Sequence, residues 1–154
     1  MIDRVHQWTF LAKAYDAEAA MLEAGALAGK DTEKVCPVRH SFGDGCYIRE
    51  WNSPANTLTV SKVHKIAHPF FVLKGKVSVL TEDGVETITA PHYGITPPGT
   101  KRLLWTHEET QWVTVHVTNE TDLDAIEREV IADDPAIQLG LGELVKQVYL
   151  GEDK

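Results

Sequence analysis

The sequence predicts an all-β core, an antiparallel sandwich or barrel, with helical segments at both ends. Two observations lead there. Between residues 35 and 119, short runs rich in β-branched and aromatic residues alternate with turn signals at roughly ten-residue spacing. Outside that stretch, apolar residues recur with the helical period instead. The expected organisation is a helical extension over 1–34, a barrel over 35–119 and a helical segment over 120–154.

In the first segment Trp8, Leu11, Tyr15, Ala19, Leu22 and Ala26 recur at helical spacing, and Gly25 and Gly29 mark the exit. The strand runs are "CYIREW", "TLTVSKVH", "PFFVLKGKVSVLT", "VETITA", "KRLLWT" and "QWVTVHVT". Between them lie "GDG", "NSPAN", "EDG", "PPGT" and "HEET", whose Gly, Pro, Asn and Asp favour turns. "TEDGVE" predicts a tight hairpin joining Val77–Leu80 to Val85–Thr89. After the last run, Thr121 is placed to cap a helix through "TDLDAIEREVI", with Leu123, Ile126 and Val130 on one stripe. "ADDP" ends it, and the remainder is helix-prone but interrupted by Gly140 and Gly142.

A chain of 154 residues can bury one proper core, and its net charge of −8 argues against a nucleic-acid or anionic-membrane binder, since both need basic surface. Cys36 and Cys46 form no CxxC pair and read as free thiols. The opening residues hold no apolar run long enough for a signal peptide or a membrane span. The expectation is a cytoplasmic protein.

The chemistry-bearing stretch is "VHKIAHPFFVLKGKV", with His64 and His68 ahead of an apolar run and Gly75 at its turn. Together with "PPGTKR" it resembles the cupins, small double-sheet jelly-roll barrels. Their first motif runs His-x-His, Glu, Gly, and their second runs from Gly through Pro-x-Gly to His. Set on Gly75, the first motif puts His68 at the Glu position, His64 at the second His and Lys62 at the first. Set on Pro97 and Gly99, the second puts Arg102 where the His should be and Pro91 at the opening Gly. The stretch from about Val38 to Ile131 further resembles small cupin-like proteins of tailed phages and prophages. The resemblance implies the cupin barrel, a divalent metal such as Zn, Fe, Ni or Mn, and a homo-oligomer, expected as a dimer. A phage origin would place the protein in the cytoplasm of a bacterial host.

A third ligand is sought in "KRLLWTHEETQWVTVHV". Read as a hairpin turning at His107–Glu109, it puts Arg102 opposite Thr114 and His116 diagonal to Arg102 on one face. His64, His68 and His116 would then form a three-imidazole site with open positions. The plainer reading leaves these histidines lining a metal-free polar pocket. Lys62 and Arg102 would favour an anionic small molecule, or else pair with Glu50 or another strand carboxylate. His40 and His92 are expected in loops at the barrel mouth, as pocket residues or exposed ones. Tyr47, Arg49 and Trp51 alternate with Cys46, Ile48 and Glu50, and which set faces inward stays open. No phosphate loop, nucleophile elbow or dinucleotide fingerprint is present. Two functions follow: a metal-dependent cupin acting on a small anionic metabolite, or a non-catalytic binding or structural module of phage type.

Overall fold

The computed structural model describes residues 2–131, with side chains from residue 9 onward. Helix α1 spans Ile2–Glu23, and a 3-10 turn follows at Gly29–Lys34. The strands are β1 (Val38–Gly43), β2 (Cys46–Ser53), β3 (Thr57–Val60), β4 (His68–Lys74), β5 (Lys76–Thr81), β6 (Gly84–Thr89), β7 (His92–Thr96), β8 (Leu103–Thr106) and β9 (Thr110–Val117). Helix α2 spans Leu123–Val130. A five-stranded sheet in the order β1-β2-β9-β4-β7 faces a four-stranded sheet in the order β3-β8-β5-β6, and every pairing is antiparallel. The helix-prone tail after Ile131 lies outside the described residues, as do the side chains of His6 and Trp8.

Side-chain alternation sorts each strand into an inner and an outer set. On the five-stranded sheet the registers line up three inner rows. One is Val38, Trp51, Trp112, Val72 and His92. The next is His40, Arg49, Thr114, Phe70 and Gly94. The third begins with Phe42, Tyr47 and His116, and continuing the β4–β9 register carries it on through His68 to Thr96. Trp51, Trp112 and Val72 of the first row, with Cys36, Phe70, Val77, Val79, Ile88 and Leu104, form the apolar core, and Val38 packs against it. Phe70 stacks on Trp112 there with ring centroids 4.6 Å apart. The barrel is thus apolar at one end and polar at the other.

Two strands escape the sequence reading. His40 and His92, expected in loops, sit on β1 and β7. "HYGIT" carries a weak strand signal because it follows Pro91 and holds Gly94. That glycine is demanded by packing, since a Cβ there would lie 2.9 Å from the Phe70 ring. The hairpin from "KRLLWT" to "QWVTVHVT" is also corrected. β8 pairs with β3 and β5, while β9 pairs with β2 and β4. The turn at His107–Glu109 carries the chain from one sheet to the other, as a closing jelly roll requires.

The predicted β5–β6 hairpin is present, with Thr81 opposite Gly84. Gly75 joins β4 to β5 at φ +93°, and a Cβ there would lie 2.3 Å from the Glu109 carbonyl oxygen. Among the described side chains of α1, Leu11 and Ala14 are buried, whereas Ala19 and Leu22, expected on the same stripe, are exposed. Asp122, not Thr121, caps α2, accepting from the Ala125 N–H at 2.8 Å. Ile126 and Val130 are buried as expected, and Leu123 is exposed.

Candidate metal centre

The polar end of the barrel is built from three places in the chain. His68 opens β4 and His116 lies near the end of β9, on adjacent strands and the same inner face. His64 comes from the loop between β3 and β4. That loop is pinned at both sides, because Gly99 N–H donates to the His64 carbonyl at 3.0 Å and His64 bridges Ile131 beyond α2. Lys65 N–H donates to the Val130 carbonyl at 2.8 Å, so the end of α2 holds the loop in place. Ile126, Val130 and Ile131 pack with Tyr47 into a second apolar cluster. The helix therefore positions His64 although it contributes no donor atom of its own to the cluster.

One nitrogen from each of His64, His68 and His116 lies within 4.8 Å of the others. The ring centroids are 4.3 Å apart for His64 and His68, 4.6 Å for His68 and His116, and 5.5 Å for His64 and His116. Two nitrogens at ~2.1 Å from a shared ion can stand up to ~4.2 Å apart, so a small imidazole rotation gathers the set. His68 Nδ1 lies 3.2 Å from the Ile66 carbonyl, to which it can donate, leaving the Nε2 lone pair free. His116 Nε2 contacts Thr114 Oγ1 at 3.0 Å.

Electrostatics keeps these rings uncharged. Burial, then the neighbouring His68 and His116, pushes His64 down to about 3. Burial, then His68 and Arg49, pushes His116 down to about 4. His68 is lowered chiefly by burial. At neutral pH no proton competes for the nitrogen lone pairs, which is the state a metal ligand needs. The donor set fits a borderline divalent ion that favours imidazole.

Arg102 lies on the other side of His68. Its Nη1 donates to Thr96 Oγ1 at 2.7 Å, and its guanidinium carbon stands 5.1 Å from the Phe70 ring centroid and 5.9 Å from that of Trp112. The other residues expected here are placed elsewhere. Lys62 is half-exposed and pairs with Glu127 of α2. Glu50 faces the outer side of the five-stranded sheet, where Gln111 Nε2 donates to it at 2.8 Å and Asn52 Nδ2 at 3.2 Å. It therefore pairs with neither Arg102 nor Lys62. Strand alternation decides this, because the apolar partners Tyr47 and Trp51 claim the inner face. His92 pairs with Val72 at the opposite end of β4 from His68, and its ring lies 5.9 Å from Phe70. His40 reaches the polar end, where Nδ1 stands 2.6 Å from the Tyr47 hydroxyl.

Two residues of the alternating set whose face the sequence left open turn out to line the site. Tyr47 is buried and stacks at 5.8 Å on His116. Arg49 sits on the inner face between Tyr47 and Trp51, opposite Thr114. The available signal was the pair of aromatic residues at alternate positions around Arg49, which marks the apolar side of a strand.

No protein-family model and no curated protein matches the chain. Solved structures do resemble it. Ectoine synthase from P. lautus is 17% identical with a TM-score of 0.52, over 62% of this chain and 73% of that one. The DMSP lyase DddQ from Ruegeria pomeroyi is 14% identical with a TM-score of 0.51, over 64% of this chain and 55% of that one. A cupin domain from Schizosaccharomyces pombe aligns at 19% identity and a TM-score of 0.47, over 64% and 69% of the two chains. At these identities the likeness is one of fold, and the two-sheet antiparallel barrel is the jelly roll that the sequence predicts.

Proposed function

We propose that this protein is a metal-dependent cupin that acts on a small anionic metabolite inside the barrel. The observation that carries the reading is the cluster of three uncharged imidazoles, on two strands and a pinned loop, with Arg102 beside it. A bound divalent ion would supply Lewis acidity toward a substrate oxygen or activate a water. His64, His68 and His116 would hold it, leaving coordination positions open toward the cavity. Arg102 would bind the substrate's negative group with its planar fork, steadied by Thr96 and by the Phe70 and Trp112 rings. Those rings would also keep water from the floor of the site.

A second reading is a non-catalytic binding or structural module, of the kind the phage resemblance suggests. One observation favours it: among the described residues, no carboxylate joins the three histidines as a ligand or a base. In either reading a homo-oligomer, a dimer by resemblance to small cupins, and a cytoplasmic location remain part of the proposal. No helix among the described residues is long and apolar enough to cross a membrane.

Metal analysis of protein purified without a histidine tag tests the reading, alongside His64→Ala and His116→Ala. Near-stoichiometric metal in the wild type, lost in both variants, is the expected result. Metal-free wild type with unchanged stability in both variants would overturn it.

A further inference from the structure

A second guanidinium sits half-buried on the inner face of the barrel, and its position relative to the first bears on what the interior can accept. Arg49 and Arg102 approach the histidine cluster from different sides. Arg49 is on β2, opposite Thr114 and one inner row from His116. Arg102 precedes β8 and reaches Thr96, in the same row as His68, from the β7 side.

Neither guanidinium has a carboxylate within ion-pair distance among the described residues, where the pairs are Lys34–Asp31, Lys62–Glu127, Lys74–Glu109 and Lys101–Glu18. Glu33 and Glu127 attract Arg49, and Glu82 and Glu86 attract Arg102. For both, burial is the larger influence and works against the charge. Two half-buried cations beside uncharged imidazoles make this end of the barrel positive inside an acidic protein. With no ion pair to either among the described residues, a ligand carrying negative groups would offset the cost of holding both charges half-buried.

We propose that the ligand of this barrel is a small dicarboxylate, with one carboxylate held by Arg49, the other by Arg102, and the atoms between them lying against His64, His68 and His116. The proposal rests on the reading of the barrel interior as a ligand site and narrows its anionic metabolite to one carrying two separated negative groups. Arg49 is thereby a specificity-determining residue. A monocarboxylate would leave one guanidinium unpaired, which is how the site would discriminate.

Calorimetric titration with succinate and with butyrate tests this, because the two differ only in the second carboxylate. Metal content is measured on the same samples. The wild type is expected to bind succinate at least about tenfold more tightly than butyrate. Arg49→Gln and Arg102→Gln should each remove that preference while leaving metal content unchanged. Where a Gln variant fails to fold, the Lys variant at the same position keeps the charge without the fork and should weaken succinate while butyrate changes less. Equal affinity for succinate and butyrate in metal-loaded wild type would overturn the dicarboxylate proposal and leave the metal reading standing. A succinate preference lost in the arginine variants of a metal-free protein would do the reverse. Inorganic phosphate binding as tightly as succinate would also overturn it, since that points to one compact oxyanion.

Discussion

His68 and His116 face each other across adjacent antiparallel strands, with ring centroids 4.6 Å apart. The register that pairs Phe70 with Thr114 sets them level, and strand alternation puts both on the inner face. His64 completes the cluster from a loop that owes its position to Gly99 and to the end of α2.

Metal should stabilise the fold through all three rings. Adding Zn²⁺ to chelator-treated protein at about 100 times its Kd should raise stability by ~2.7 kcal/mol, read as an increase in Tm. The increase should disappear in His116→Ala. An equal increase in that variant would mean the ion binds elsewhere.

Acid should destabilise the metal-free protein in a definite window. Folded His64 and His116 titrate at about 3 and about 4, well below the ordinary histidine value of 6.5. Between those values and 6.5 the unfolded chain binds more protons, so stability falls as pH drops through this range. At ~1.4 kcal/mol per pH unit for each ring, the loss between pH 7 and pH 4 should exceed about 2 kcal/mol. Denaturant titrations across that range check it, and His64→Ala should flatten the slope.

Gly75→Ala should cost about 2–4 kcal/mol, since the residue needs a positive φ and its new Cβ would run into the Glu109 carbonyl. The midpoint of urea unfolding measures this. A change below 0.5 kcal/mol, the order of a neutral surface substitution, would show that the β4–β5 turn can relax.

Lys101 ties α1 to the barrel. Its ammonium is buried, donates to the Ser61 carbonyl at 3.0 Å, pairs with Glu18 at 2.9 Å and lies 4.3 Å from the centroid of the Tyr15 ring. Lys101→Ala should loosen α1 by about 1–3 kcal/mol, discounted for the partial exposure of Glu18. Faster amide exchange across α1, with β4 and β9 still protected, is the expected signature. Uniform loss of protection would mean the helix and barrel unfold together.

Much of the fold was legible locally. Period-two runs and Gly, Pro and Asp turn signals located β2 to β6, β8 and β9, because alternation and turn chemistry are properties of neighbouring residues. β1 and β7 were missed for the same reason. Their inner faces carry His40 and Gly94, which gain meaning only from Tyr47 and Phe70 on the next strands. The histidine set was proposed from a β8–β9 hairpin that does not exist, since the two strands belong to different sheets. It nevertheless converged, because period two along β9 puts His116 and Thr114 on one face whichever strand is the partner.

What the sequence determined by itself was the class of fold, the two histidines flanking the entry to β4 and the cationic residue after the Pro-x-Gly turn. Only the tertiary structure decided which face of β2 turns inward. That choice sent Glu50 to the outer surface and Arg49 into the barrel, against the ordinary preference of a guanidinium for water. The aromatic pair pointed to it locally, but the alternate set carries the apolar Ile48, and only packing decides that Tyr47 and Trp51 bury their rings by carrying the arginine between them inside.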